Sequence, residues 1–398
     1  MKRMFLVFLA LMLLSAVALA DPAGVVETGT GITVIKAADW VEQYPDIYAS
    51  YMLNEQNSEA LDHTVEYPSI KVVYEGMAFN TYYASARGHY YTVEDVTNTG
   101  RPHALANCFT CKTPDFTVAV NNDGVSAYKI PFEDMLAQVN ESISCYNCHA
   151  NGQDGAITGV TVTHTYLSDA LGADFAKVAA GTAACAQCHV EYYFDPETKA
   201  TTLPYTSLDT MNPDSIYEYY ANLGFSDYTN PRTGVQQIKV QHPEFETFMG
   251  EGSFHKANFT CADCHMGTAT NEQGETYVSH NWVSPLASES IQAEKNCSTC
   301  HSDLAAFVHG IQEHAEERTI AIGESLEKLT NELAAAVEAG KLSDEELATV
   351  RELNRKGQFY WDFVFVENSE GAHNRKLTEE CLDKAESFIN QALEIVEA

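Results

Sequence analysis

Five C-x-x-C pairs, four of them followed at once by a histidine, and an apolar stripe of helical period beyond residue 301 predict a mainly α fold, in a chain with little alternating strand pattern. Short helices, turns and loops over residues 21–301 would wrap five covalent haems and form the haem-binding catalytic region. Long helices over residues 302–398 would complete the same domain. The 398 residues are 45% hydrophobic and 11% aromatic, a globular composition and not a disordered one. With 56 acidic against 23 basic side chains the net charge is −33, which excludes a nucleic-acid binder, because phosphate contacts need a basic face.

The N-terminus reads as a signal peptide over residues 1–20. Lys2 and Arg3 give a positive start, Met4 to Val17 an apolar run, and Ala18-Leu19-Ala20 a small-x-small cleavage site before Asp21. An uncleaved membrane anchor would need a longer apolar stretch. The mature chain is therefore expected in the periplasm, where loss of two positive charges takes −33 to −35.

An exported chain with 11 cysteines would ordinarily hold disulfides. Here ten fall into pairs at Cys108/Cys111, Cys145/Cys148, Cys185/Cys188, Cys261/Cys264 and Cys297/Cys300. The last four pairs are followed by His149, His189, His265 and His301. C-x-x-C-H is the attachment signature of haem c: two thioethers fix the vinyl groups and the adjacent imidazole reaches the iron. Zinc knuckles pair C-x-x-C motifs too, but without a systematic trailing histidine. A multihaem cytochrome c fold follows, and the uneven spacing of motif starts (37, 40, 76 and 36 residues) makes it one unit and not a string of modules.

In the first motif Lys112 stands where the others have histidine. An ammonium has no lone pair, so the lysine must be deprotonated well below its usual pKa to bind iron. Such a ligand is expected where imidazole would not serve. The plain alternative is a C-x-x-C without haem, and its place among four intact motifs speaks against that. Cys381 is left over and reads as a buried helical thiol.

Four bis-histidine haems would need four further ligands. Of 14 histidines, four are adjacent to motifs, leaving ten. His89, His255, His280, His373 and His242 are the candidates; His63, His103, His164, His309 and His314 read as surface or satisfied core residues. Spacing alone does not pair them.

Residues 82–93 read as holding a short extended piece. After His301, Ile322, Leu326, Leu329, Leu333 and Val337 recur at helical spacing, Gly340 ends that helix, and Ser343 with Glu346 forms a capping box for the next. Thr378, Glu379 and Glu380 are expected to open a last helix carrying Leu382, Ala385, Ile389, Ala392 and Val396 on one face.

From Trp40-Val-Glu-Gln-Tyr44-Pro45 to the C-terminus the chain resembles the pentahaem, ammonia-forming cytochrome c nitrite reductases. The likeness rests on C-x-x-C-K before four C-x-x-C-H motifs, Arg87-Gly-His89, Cys188-His-Val-Glu-Tyr-Tyr-Phe194, Lys239-Val-Gln-His-Pro-Glu244, and Trp361-Asp-Phe363 leading to His373. It implies six-electron reduction of nitrite to ammonium at a haem held by Lys112, its distal face open beside Arg101, Tyr192 and His242. It implies His280, His89, His373 and His255 as distal ligands of the second to fifth haems in chain order. A calcium site would use the Glu191 carboxylate, the Tyr192 and Lys239 carbonyls and the Gln241 amide. A homodimer packed through the C-terminal helices is implied. The electron donor would be a membrane-anchored quinol-oxidising multihaem cytochrome or a small periplasmic multihaem protein. The chain departs from the family pattern at Asn98, where the family's arginine usually precedes Thr-Gly; Arg101 follows that pair here.

These residue types suit the chemistry. Arg101 can hold nitrite oxygens through charge-assisted bonds, His242 can donate protons and Tyr192 a phenolic hydrogen bond. Hard oxygen donors suit calcium, whose charge favours an anionic substrate. Taken singly, an arginine after a turn glycine is usually surface and a tyrosine in Glu191-Tyr-Tyr-Phe is usually core. A pure electron-transfer multihaem cytochrome is the competing class, though it would want histidine in place of Lys112. A closer rival is a related multihaem reductase of hydroxylamine, sulfite or tetrathionate.

Overall fold

The computed structural model describes residues 24–25, 34, 36–77, 87–99, 105–151 and 157–398. The expected signal peptide and Arg101 lie outside the described residues. Of the segment expected to be extended, residues 89–93 are helical instead: His89–Tyr91 forms a 3₁₀ turn and α1 (Thr92–Asn98) follows. The hydrogen bond from the Thr92 hydroxyl to the Lys112 carbonyl, 2.7 Å, ties this turn to the first motif.

Around the motifs the elements are short. The first motif lies on a 3₁₀ turn, Ala106–Phe109, before α2 (Pro114–Asp123), which starts with proline and is capped by Thr113. Phe109 stacks on Phe132 with ring centroids 4.5 Å apart, and with Phe116, Tyr128 and Met135 makes a small separate core. The second motif is α3 (Cys145–Cys148), and the third starts in α4 (Ala180–Ala186). After α5 (Pro213–Leu223) and α6 (Glu244–Met249), the fourth motif is α7 (Cys261–His265). The fifth starts in a 3₁₀ turn, Cys297–Thr299. Strands are few: β1 (Gly24–Val25) runs parallel and β2 (His149–Asn151) antiparallel to β3 (Ile157–Val162), with His149 opposite Val160.

Three helices close the chain: α8 (Leu304–Ala339), α9 (Asp344–Phe365) and α10 (Arg375–Glu397). The expected boundaries between the first two hold. Gly340 adopts the left-handed conformation that ends α8, and Ser343 and Glu346 cap each other at the start of α9. The last helix opens one turn earlier than expected, at Arg375, because the Asn374 side chain accepts the Leu377 N–H and supplies the cap.

The apolar stripes of α8 and α10 face inward. Ile322, Leu326, Leu329 and Leu333 join Phe359, Trp361 and Phe363 of α9 and Leu382, Ala385 and Ile389 of α10 in one core. The same core takes in Val162, Leu167, Val190, Tyr220 and Phe245 from the haem-wrapping half. The stripe is therefore the interior of a protomer and not a seam between two. Among the described residues no helix is long and apolar enough to cross a membrane.

A polar row on α9 braces the chain that leads to His242. Arg355 donates to the Gln236 and Phe225 carbonyls, 2.6 Å each. Gln358 donates to the Ile238 carbonyl, 2.7 Å, and accepts its N–H. Asp362 accepts from Lys239 Nζ at 2.9 Å and from the Val240 N–H at 2.8 Å. Lys239 and Asp362 are both buried, so this ion pair fixes the loop in one register.

Candidate haem and active site

One helical turn puts the two cysteines of a C-x-x-C on the same face, with the following histidine one turn on from the first. The chain stabilises these turns locally. Ser144 and Asn147 form a reciprocal cap at the second motif, and Thr260 and Asp263 do so at the fourth. In the third, the His189 N–H donates to the Cys185 carbonyl at 2.9 Å. None of the eleven cysteines forms a disulfide.

Cys300 stands apart from the other attachment sites. Its side chain is exposed, whereas the other nine motif cysteines are half-buried. The cause is local: the fifth motif sits on its 3₁₀ turn just ahead of α8, and Ser298, Thr299, Ser302 and Asp303 around it are exposed as well. A thioether on Cys300 would put one haem edge at the protein surface.

The decisive geometry is between histidines. His149 faces His280 with ring centroids 6.1 Å apart, and His189 faces His89 at 5.8 Å. His265 faces His373 at 6.0 Å, and His301 faces His255 at 6.2 Å. Two imidazoles on opposite sides of one metal, each nitrogen about 2 Å from it, have centroids about 6 Å apart. Each motif histidine thus has a second histidine at the spacing an iron between them requires, and the residues fit haem.

The motifs also meet one another out of chain order. The Cys111 thiol is within hydrogen-bonding reach of Cys188, and Cys261 of Cys185. The first, third and fourth motifs therefore form a line.

The fifth candidate, His242, pairs with no motif of its own. Its ring lies 6.0 Å from that of His189, and Glu244 Oε1 sits between them, 3.4 Å from His189 Nδ1 and 4.0 Å from His242 Nδ1. Burial pushes His242 down to about 4; Glu244 pulls it up, while His189 and Lys112 press it down. The ring is therefore neutral near pH 7, a proton acceptor until an anion beside it raises its affinity, and not the ready donor that free imidazole would be. Lys112 is near enough for its charge to act on His242 and His89. Tyr192 is half-buried, edge-on to Phe194 at 5.4 Å.

Comparison with known proteins supplies the context. The family model described as cytochrome c552 matches residues 36–398. The chain belongs to the cytochrome c552 family. The cytochrome c nitrite reductase of Desulfovibrio desulfuricans, a catalytic subunit described with two calcium sites, is similar at 27% identity and TM-score 0.79, over 91% of this chain and 86% of that one. The outer cell wall cytochrome OcwA aligns at 19% identity and TM-score 0.41, over 76% and 48% of the two chains. An undecahaem S-layer cytochrome of Carboxydothermus ferrireducens aligns at 18% and 0.37, over 76% and 40%.

The family match and the likeness to the Desulfovibrio desulfuricans enzyme bear out the resemblance read from the motifs, and with it the multihaem cytochrome c fold and the class of ammonia-forming cytochrome c nitrite reductases. In a cytochrome c552 the C-x-x-C pairs are the thioether sites of covalent haem c.

Three of the residues expected to hold calcium in this cytochrome c552 chain, Glu191, Lys239 and Gln241, lie together. Glu191 is fully buried; its oxygens accept from Tyr220 Oη at 2.7 Å and the Gln241 N–H at 2.6 Å. The Gln241 amide lies against the Lys239 carbonyl, 2.8 Å away. Burial pushes the Glu191 carboxyl well above its usual range, with Glu246 and Asp227 adding to the push. Glu246 Oε2, also buried, has no hydrogen-bond partner. A crowd of buried carboxylates and carbonyls with one oxygen unpaired is a donor set that fits a hard divalent cation.

Sequence reasoning missed two residues. Glu244 was legible only as part of a motif, and nothing near Glu367 marks it. Both carboxylates hold histidines, His189 and His373, at 3.4 and 2.6 Å.

Proposed function

We propose that this protein reduces nitrite to ammonium at a lysine-ligated haem c held by Cys108, Cys111 and Lys112, fed by four bis-histidine haems. The observation that carries this is the pairing of the four C-x-x-C-H histidines with His280, His89, His373 and His255. It accounts for four of the five candidate ligands and leaves His242 beside Lys112. One haem site thus keeps a face for substrate. Nitrite takes six electrons and eight protons to give ammonium and two waters, and the haem supplies the electrons and an open coordination position.

The protein's own groups bind the anion and move protons. Arg101 would hold the nitrite oxygens by charge-assisted hydrogen bonds. His242, neutral before substrate arrives, gains proton affinity beside the anion and hands protons to it from its ring nitrogen. Tyr192 donates through its hydroxyl. Calcium at Glu191, Tyr192, Lys239 and Gln241 would place positive charge next to the pocket and stabilise Glu191 in its ionised form.

The reading extends to setting. The N-terminal signal supports a periplasmic location, with electrons arriving from a membrane-anchored quinol-oxidising cytochrome or a small periplasmic multihaem protein. A homodimer would have to use the outer faces of α8 to α10, since their apolar stripes are buried within the protomer.

An anaerobic assay with a strong one-electron donor tests the activity. Ammonium formed one-for-one with nitrite is expected. Full haem loading without nitrite consumption would leave an electron carrier or a reductase of another substrate.

A further inference from the structure

The imidazoles of the paired sites are held at Nδ1 in two different ways. His280, at the second motif's site, lies 3.0 Å from the Val278 carbonyl. At the fourth, His265 lies 3.0 Å from the Val283 carbonyl, but the ring opposite, His373, lies 2.6 Å from Glu367 Oε1. At the third, His189 lies 3.4 Å from Glu244 Oε1. Glu367 and Glu244 are 4% and 7% exposed. Among the described residues, histidine–carboxylate contacts within 4.0 Å occur at His63, His189, His242, His314 and His373, and so at none of His255, His280 or His301.

Both carboxylates are fixed by one turn of chain after α9. Ser369 donates its N–H and hydroxyl to Glu367 Oε2, and Asn368 donates its amide to Glu244 Oε1. Glu244 Oε2 is buried with no hydrogen-bond partner. A buried carboxylate that is anchored on one side and aimed at an imidazole is costly unless the imidazole N–H uses it.

We propose that Glu244 and Glu367 are positioning residues that lower the reduction potentials of the third and fourth haem sites. The inference rests on the reading above, in which His89/His189 and His265/His373 ligate haem. A ring whose Nδ1–H is drawn toward a carboxylate donates more electron density through its other nitrogen. The negative charge, in a medium of low dielectric, also opposes an added electron. A carbonyl partner does both to a smaller degree. The two sites lie in line behind the first motif through the Cys111/Cys188 and Cys185/Cys261 contacts. The two carboxylate-held sites would thus stand behind Lys112.

Redox titration of the haem-loaded protein, followed by electron paramagnetic resonance, tests this without reference to turnover. Glu244→Gln and Glu367→Gln are each expected to shift one low-spin potential upward, a different one in each variant, with the other three potentials and the five-haem content unchanged. Glu367→Asp keeps the charge and is expected to return that potential toward wild type. Four unmoved potentials in both glutamine variants would overturn the proposal. If a glutamine variant fails to assemble, near-infrared magnetic circular dichroism of the ferric wild type decides. Two groups of low-spin charge-transfer bands, the higher-energy group from carboxylate-bonded rings, are expected, and a single group overturns the proposal. A wild type without four bis-histidine spectra would instead overturn the ligation reading.

Discussion

His242 and His164 have the same burial-driven depression and different uses for it. His242 faces Glu244 beside Lys112, so its proton affinity is set by what enters the pocket. His242→Asn is expected to lower nitrite turnover by about 10²- to 10⁴-fold with five haems retained, measured as kcat against haem content. His164 is 1% exposed, shares a 2.9 Å hydrogen bond with the Thr117 hydroxyl and stacks on Tyr166. Burial pushes it down to about 4. An unfolded chain takes up that proton below about pH 6.5 while the native chain does not, so stability falls as pH drops from about 6.5 to about 4, by about 3 kcal/mol in all. His164→Gln removes the titration, so its Tm should fall less than that of wild type between pH 7 and pH 4.5 in calorimetry of the haem-loaded protein. That His164 is either surface or satisfied core was legible by default; that it is core and fully dry was not, because its neighbours Thr117 and Gln187 come from separate segments of the chain.

At the level of elements, α9 proves to be the brace of the active-site loop. Its start was readable from the Ser343 capping box, and its core residues follow its period. Its polar row was not readable, because Arg355, Gln358 and Asp362 look like ordinary helix-surface residues until Gln236 to Val240 is laid along them. Asp362→Ala would leave the Lys239 ammonium buried without a counter-charge, a cost of about 3–5 kcal/mol. A lowered Tm is expected, together with reduced turnover, because the loop that carries Gln241 and His242 loses its anchor. Unchanged Tm and kcat would show that the loop holds its register without α9. The early start of α10 has a similar cause. Asn374 caps the helix and also donates to the Thr247 and Glu251 carbonyls, fixing the helix start against the His373 side of the site.

For the whole molecule, a charge of −33 repels nitrite at long range. Attraction must be local, from Arg101, a bound cation and the iron. Raising salt from very low to moderate values screens the global repulsion first, so kcat/KM for nitrite is expected to rise over that range. A monotonic fall would place the favourable field at long range instead. The interior is shared: one core joins the haem-wrapping half to the three terminal helices, so the stripe on α8 stabilises the protomer and is not available as a dimer seam. The stripe itself was plain from its period, but periodicity does not say which surface an apolar face meets.

The sequence by itself determined how many haem attachments there are, which one lacks histidine, and that the C-terminal part is long helices. Those are local properties: a thioether motif closes within one turn, and a helix follows its own period and caps. Only the tertiary structure decided which histidine meets which, that the first, third and fourth motifs stand in line, that Cys300 lies at the surface, and that Glu244 and Glu367 hold two of the rings. The paired histidines lie from 46 (301 − 255) to 131 (280 − 149) positions apart in the chain. Contacts at that separation are fixed by packing of the whole core, and no local pattern encodes them.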